Sequence, residues 1–155
     1  MIVLRSQPTV YVMIGVAGSG KSTWIKDNLG PMFPIVSKDD IRKDIGIIKS
    51  NRKKEIGTDE QEAEVSKIQK QKIETLLDKK RSFAIDNTNL GDSLENLLKS
   101  LRQHKVRIIG VHINTPLNVC IQRRPEIPES ILKNMYEKSK KINKNLFDEF
   151  IEEHN

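Results

Sequence analysis

The chain has 155 residues, and its 27 Lys and Arg outnumber its 21 Asp and Glu, which gives a formal net charge of +6. This length favours a single domain over residues 1–155, and the basic surplus is compatible with a polyanionic partner. Cys120 is the only cysteine, so an intramolecular disulfide is excluded. The sequence shows no signal-peptide pattern and no apolar run that could span a bilayer, so we expect a cytoplasmic protein with no membrane partner.

Four apolar runs with strand character alternate with helical patterns along the chain. The runs are Thr9–Ile14, Pro34–Val36, Ser82–Ile85 and Val106–Ile113. Such alternation is typical of α/β proteins, in which helices cover the faces of a parallel sheet. We therefore expect a three-layer α/β/α fold with a central parallel sheet of four to five strands.

Cap signals and leucine spacing predict two of the helices. Thr58 and Gln61 have the spacing of a capping box, which predicts a helix that runs to about Lys80. Leucines at positions 94, 97, 98 and 101 follow the spacing of one helix face. They predict a helix over Ser93–His104 that buries this face.

The C-terminal third contains two further helix signals. Thr115 followed by Pro116 is typical of an N-cap and a first helical residue, and predicts a helix over about Leu117 to Arg124. Another helix begins at Ile127-Pro128-Glu129, and the region after it is rich in lysine. These lysines, like those of the predicted loop Lys49–Lys54, indicate either a solvated surface or contacts with phosphates.

The segment GVAGSGKS, from Gly15 to Ser22, satisfies the pattern G-x-x-x-x-G-K-[ST] directly after the first apolar run. In such a P-loop, we expect backbone N–H groups and Lys21 to hold the terminal phosphates of a nucleotide, and the Ser22 hydroxyl to bind Mg²⁺. A simple glycine turn before a helix would need only part of this pattern. The predicted nucleotide-binding residues are Gly15, Gly18, Ser19, Gly20, Lys21, Ser22 and Thr23.

A second polar segment, SKDDIR, follows the second apolar run and leaves the predicted sheet at its carboxyl edge. There, Asp39 can accept the proton of an attacking hydroxyl. Arg42, one helical turn further on, can hold a phosphate or carboxylate of the substrate. Alternatively, Asp39 or Asp40 only caps a helix over Ile41–Ile48, and the spacing alone does not decide between these interpretations.

A third apolar run ends in four short polar residues, Asp86, Asn87, Thr88 and Asn89, beside the predicted P-loop. Asp86 occupies a position from which many P-loop proteins reach Mg²⁺ through water, and the next three residues can orient substrate and backbone. A turn held by side-chain caps is the structural alternative.

Two adjacent arginines, Arg123 and Arg124, close the helix that follows the fourth apolar run. An arginine at this point can fold over the site and neutralise the charge that develops during phosphoryl transfer. Alternatively, both residues only complement the helix dipole.

The order of these motifs resembles that of the polynucleotide 5′-kinase family, and of its phage-type enzymes in particular. The resemblance covers about Val10 to Lys141 and rests on four segments. They are GVAGSGKSTW, SKDDIR, AIDNTNL and QRR followed by IPESILKNMYEKSK. It implies a P-loop kinase fold with a short helical lid.

The resemblance also implies an enzyme that transfers the γ-phosphate of ATP, with Mg²⁺, to the 5′-hydroxyl of DNA or RNA ends. Lys21 and Ser22 then serve the nucleotide and Mg²⁺, Asp39 is the general base, and Arg42 contacts a phosphate of the acceptor. The turn 86–89 shapes the acceptor pocket. No D-x-D-x-[TV] phosphatase motif is present, so we expect a stand-alone kinase module.

The lid departs from the family pattern, because only Pro125 and Glu126 separate Arg124 from Ile127-Pro128. Either Arg123 or Arg124 corresponds to the lid arginine of the family. Two other functions stay open, namely a small-molecule kinase for a sugar or nucleoside and a module that binds ATP without transferring phosphate.

Overall fold

A computed structural model describes residues 7–47 and 57–154. Within these two ranges, five strands form one all-parallel sheet in the order β2-β3-β1-β4-β5. The strands are β1 Thr9–Ile14, β2 Ile35–Val36, β3 Phe83–Ile85, β4 Arg107–Asn114 and β5 Glu149–His154. The first four lie within one residue of the bounds that the apolar runs predict, and the predicted α/β class is confirmed.

In the part of the chain that the structure describes, six helices accompany the sheet. They are α1 Lys21–Leu29, α2 Lys38–Asp44, α3 Asp59–Asp78, α4 Asp92–Leu101, α5 Leu117–Arg123 and α6 Glu129–Ser139. A short 3₁₀ turn over Lys144–Leu146 precedes β5. Within residues 7–47 and 57–154, no helix has the length and apolar character needed to cross a membrane.

Two apolar layers enclose the sheet and make the fold three-layered. On one face, α3 and α4 bury Leu77, Leu94 and Leu98 against β1, β3 and β4. On the other face, Ile25 of α1 packs against strand residues that include Met13 and Val111. Because the sheet is covered on both faces, its central strands are apolar throughout rather than alternating.

The helices α5 and α6 pack beside the P-loop instead of on the sheet. Cys120, Ile127 and Leu132 of this segment form a buried cluster with Val16 and Ala17 of the loop. Burial in this apolar cluster raises the pKa of the Cys120 thiol. The segment therefore has the position of the expected short helical lid.

The helix starts show one confirmed cap and two corrections. The capping box of α3 is confirmed, since Thr58 and Gln61 exchange hydrogen bonds of 2.8 and 3.2 Å. The capping role of Asp39 or Asp40 is wrong, because the Ser37 hydroxyl caps α2 and both aspartates lie in its first turn. This helix starts at Lys38 and ends at Asp44, so the predicted span Ile41–Ile48 is also wrong.

Thr115 does not cap α5. Pro116 occupies the N-cap position, and the Thr115 hydroxyl donates to the carbonyl of Ser19 at 2.7 Å. Thr115 thus ties the end of β4 to the P-loop. The predicted loop Lys49–Lys54 lies outside the described residues.

The strand β5 has no counterpart among the predicted runs. Its sequence EFIEEH contains three glutamates, and only Phe150 and Ile151 are partly buried. The rings of Phe147 and Phe150 pack on Gly110 of β4, where a Cβ atom would lie 2.8 Å from either ring. Close packing of two rings on a glycine therefore holds this edge strand in the sheet. The strand itself has few apolar residues, so its sequence does not predict a strand.

Candidate active site

A cleft of about 1190 Å³ opens at the carboxyl edge of the sheet. The P-loop, the start of α2, the turn after β3 and the end of α5 line it, because parallel strands deliver all of these segments to one edge. The predicted site residues that line it are Gly18, Gly20, Lys21, Ser22, Thr23, Asp39, Asp86, Asn87, Thr88, Arg123 and Arg124. Gly15, Ser19, Arg42 and Asn89 do not belong to this lining.

The P-loop presents the N-terminus of α1 to the cleft. Lys21 is the first residue of α1, and none of the side chains that the structure describes caps this helix. The Lys21 ammonium donates to the carbonyls of Gly15 and Val16, each at 3.2 Å. Uncapped helical N–H groups with an adjacent ammonium form a natural binding site for phosphate.

Gly18 lies where α5 meets the P-loop. Its φ of +83° is left-handed, and a Cβ atom here would lie 2.8 Å from Cγ of Arg124. Its carbonyl accepts a hydrogen bond of 3.0 Å from Nη1 of Arg123. The glycine therefore lets α5 approach the loop closely enough for both arginines to line the cleft.

Hydroxyl and carboxylate oxygens meet at the start of α1. The Ser22 hydroxyl donates to Oδ2 of Asp86 at 2.5 Å, across 64 residues of sequence. Both are hard oxygen donors of the kind that Mg²⁺ prefers. Within the described ranges, no group of three or more His, Cys, Asp or Glu side chains could enclose a metal ion. This pair therefore fits a Mg²⁺ ion that takes its other ligands from phosphates and water.

The charge of the cleft lining also favours a divalent cation. Among the described residues, its cationic side chains are Lys21, Arg123 and Arg124, and its carboxylates are Asp27, Asp39, Asp40, Asp86 and Glu153. The pKa of Asp40 is raised, chiefly by burial and then by the charges of Asp86, Asp44 and Asp39. This acidic wall repels a polyphosphate unless a cation screens it.

Asp39 and Arg42 form an ion pair on one side of α2. Nη1 of Arg42 lies 2.7 Å from Oδ1 of Asp39, and the Asp39 side chain is 57% exposed. The Arg42 side chain is only 13% exposed, since its other nitrogens face Glu62 of α3. Asp39 thus faces the cleft, whereas Arg42 lies behind it.

Sequence reasoning missed Glu62. It lies 20 residues from Arg42, in the first turn of a helix whose start the capping box marks. No local pattern connects the two residues. The only available signal was an acidic residue near the start of a helix, which is common because it complements the helix dipole.

The turn after β3 divides into a part that lines the cleft and a buried part. Asn87 accepts from the backbone N–H of Lys38 at 2.9 Å and donates to Gln69 at 2.8 Å, so it joins β3 to α2 and α3. Asn89 is buried, has a φ of +51°, and donates to the carbonyl of Met13 at 2.6 Å. Asn89 therefore ties the turn to β1.

A match to a family model covers residues 10–127, more than half of the chain, and the model describes an AAA domain. The chain belongs to this AAA domain family. No protein of curated function matches the sequence.

Solved structures resemble this AAA domain at low sequence identity. A chain of the Pnkp1/Rnl/Hen1 RNA repair complex aligns with a TM-score of 0.77 and 20% identity, over 94% of this chain and 48% of that one. A sugar kinase from Janibacter sp. HTCC2649 aligns with a TM-score of 0.60 and 19% identity, over 96% of this chain and 86% of that one. A chain in the structure of AvrRxo1-ORF1:-ORF2 with ATP aligns with a TM-score of 0.59 and 17% identity, over 86% of this chain and 48% of that one.

These structures support a P-loop kinase fold for the AAA domain described above. The chain spans about half the length of the matched chain in the RNA repair complex. It spans most of the sugar kinase.

Proposed function

We propose that the protein is an ATP-dependent kinase that phosphorylates the 5′-hydroxyl of DNA or RNA ends. The observation that carries this proposal is Asp39, which lies across one cleft from the P-loop and is paired with Arg42 behind it. A base for a hydroxyl and a nearby guanidinium are the groups that phosphoryl transfer to such an end requires. The fold of the RNA repair complex chain supports the same assignment.

The nucleotide half of the site consists of the P-loop, Ser22 and Asp86. Loop N–H groups and Lys21 bind the β- and γ-phosphates of ATP, and Ser22 with Asp86 would hold Mg²⁺. When bound, the ion would neutralise charge on the phosphate oxygens. The Lys21 ammonium then exchanges its loop carbonyls for phosphate oxygens.

In the acceptor half, Asp39 receives the proton of the attacking 5′-hydroxyl. Arg42 orients this carboxylate through the 2.7 Å contact of Nη1. Arg42 lies behind Asp39 and outside the cleft lining, so we assign it the role of holding this carboxylate.

Arg123 is the better candidate for the lid arginine. Its guanidinium already contacts the P-loop at the Gly18 carbonyl, whereas Nε of Arg124 pairs with Glu126 at 2.5 Å. An arginine that rests on the loop can move to the transferred phosphate with little rearrangement. Asn87 and Thr88 line the acceptor side and complete the pocket.

A small-molecule kinase is the second candidate, and two observations favour it. The sugar kinase of similar fold matches nearly the whole chain. In addition, Ser37, Asn87 and Thr88 give the acceptor side uncharged polar groups that suit a hydroxylated small molecule.

An acceptor panel separates the candidates. Transfer of γ-labelled phosphate from ATP is measured to 5′-hydroxyl DNA, 5′-hydroxyl RNA, nucleosides and sugars, with 5′-phosphorylated oligonucleotides as controls. We expect labelling of 5′-hydroxyl oligonucleotides, with an acceptor KM that rises steeply with salt because phosphate contacts release counterions. Labelling of sugars or nucleosides alone supports the second candidate, and ATP binding without transfer supports a non-catalytic module.

A further inference from the structure

Arg42 connects two helices through a two-pronged ion pair. Its Nε lies 3.2 Å from both carboxylate oxygens of Glu62, and its Nη2 lies 2.7 Å from Oε1. A contact of this kind fixes the plane of the guanidinium as well as its position. Both side chains are largely shielded from solvent, with 13% of Arg42 and 27% of Glu62 exposed. The third nitrogen, Nη1, contacts Asp39.

Glu62 is itself held in place from two sides. The backbone N–H of Gly57 donates to Oε2 at 3.4 Å, and the capping box of Thr58 and Gln61 fixes the first turn of α3. The hydrogen bonds from Arg42 lower the pKa of Glu62, so its carboxylate is charged at neutral pH. The anchor for Arg42 is therefore rigid and fully charged.

We propose that Glu62 is a positioning residue, which holds Arg42 and thereby fixes the orientation of Asp39 toward the cleft. This inference rests on the proposed role of Asp39 as proton acceptor. An exposed aspartate on a surface helix samples several rotamers, whereas a fixed guanidinium at 2.7 Å selects one of them. Without Glu62, the long side chain of Arg42 regains its torsional freedom, and Asp39 loses its fixed partner.

The first test compares two charge-removing substitutions in the same helical turn. Glu62→Gln keeps the shape and one carbonyl oxygen, and Glu60→Gln removes the same charge from an exposed residue that makes no contact with Arg42. We expect Glu62→Gln to lower kcat by about 10- to 100-fold, the order of loss that follows misplacement of a reacting group. The KM for ATP stays unchanged, and Glu60→Gln resembles the unaltered protein.

The second test separates positioning from a general structural role. If Glu62 acts through Asp39, the double variant Asp39→Asn/Glu62→Gln transfers phosphate at the same rate as Asp39→Asn alone. If Glu62 has a general structural role instead, the loss of rate in the double variant is the product of the losses in the two single variants. Multiplied losses, or a Glu62→Gln enzyme with unaltered kcat, would overturn the inference.

A third measurement does not depend on any acceptor. The Nε–H signal of Arg42 in ¹⁵N NMR reports the order of the guanidinium directly. We expect an ordered signal in the unaltered protein and in Glu60→Gln, and loss of that order in Glu62→Gln. An equally ordered signal in Glu62→Gln would overturn the role of Glu62, whereas failure of every nucleic-acid acceptor would contradict only the proposed function.

Discussion

The proposed nucleotide half and the proposed acceptor half of the cleft are built by different means. The P-loop binds through backbone groups of a contiguous segment, and the buried cluster around Val16 and Ala17 supports it. The acceptor half depends on side chains from α2, α3 and the turn after β3, joined by contacts such as Arg42 to Glu62 and Asn87 to Gln69. Side-chain substitutions should therefore affect the two halves in separable ways.

The largest effect is expected at Lys21, the one side chain on which the nucleotide half depends most. Lys21→Ala removes the ammonium that faces the phosphates, and we expect weaker ATP binding together with a loss of transfer of about 10³-fold or more. Lys26→Ala, which removes an exposed lysine from the same helix, is the matched control. Titration calorimetry and the transfer assay check both properties, and a fully active Lys21→Ala enzyme would contradict the P-loop assignment.

Arg123 and Arg124, the two candidates for the lid arginine, are expected to differ in their effect on transfer, although they are neighbours in sequence. Arg123→Ala should lower kcat by about 10³-fold, in the range known for arginines that stabilise a transferred phosphate. Arg124→Ala should cost much less, because Glu126 already holds this guanidinium. Single-turnover rates of the two variants at saturating ATP show which substitution causes the larger loss. A larger loss in Arg124→Ala would assign the lid role to Arg124.

Asn89 should affect stability rather than catalysis. The sequence predicts that it belongs to the acceptor pocket, but its side chain is buried. Asn89→Ala leaves the Met13 carbonyl without its 2.6 Å donor, which should cost about 1–3 kcal/mol of stability. Thr88→Ala, at a residue that lines the cleft, should leave stability nearly unchanged. Thermal or denaturant unfolding checks the pair. Equal stability of both variants would show that Asn89 does not hold the turn.

The smallest effect concerns the pH dependence of stability. Arg42 lowers the pKa of Glu62, so the ion pair stabilises the fold at neutral pH and is lost as the pH falls below about 4. The stability difference between the unaltered protein and Glu62→Gln should therefore be constant above about pH 6 and vanish in acid. The pKa values of Asp148 and Glu152 are lowered too, so the stability of either protein alone also falls in acid for reasons unrelated to Glu62. The difference in stability between the two proteins isolates the contribution of Glu62. A difference that grows in acid would contradict the ion pair.

The predictable parts of the fold are those that a short segment encodes. The apolar run Thr9–Ile14 and the P-loop after it predict β1 and the start of α1, and the capping box predicts the start of α3. The acidic edge strand β5 was missed, because its stability comes from the packing of Phe147 and Phe150 on Gly110 rather than from its own composition.

The same limit applies to the candidate site. Motif spacing predicts that the P-loop, Asp39, Asp86, Arg123 and Arg124 lie at one edge of the sheet, and the lining of one cleft includes residues of each segment. It did not reveal that Ser37 rather than an aspartate caps α2, nor that Glu62 holds Arg42. Contacts between helices distant in sequence depend on packing, which no local pattern records.

The central claim is that one cleft joins two halves with separable roles, and Asp39→Asn tests it most directly. ATP affinity and single-turnover transfer to a 5′-hydroxyl oligonucleotide are measured on the same preparation. We expect unchanged ATP affinity and a rate lower by about 10²-fold or more, because only the proton of the acceptor loses its destination. Loss of ATP binding, or an unaltered rate, would contradict the account.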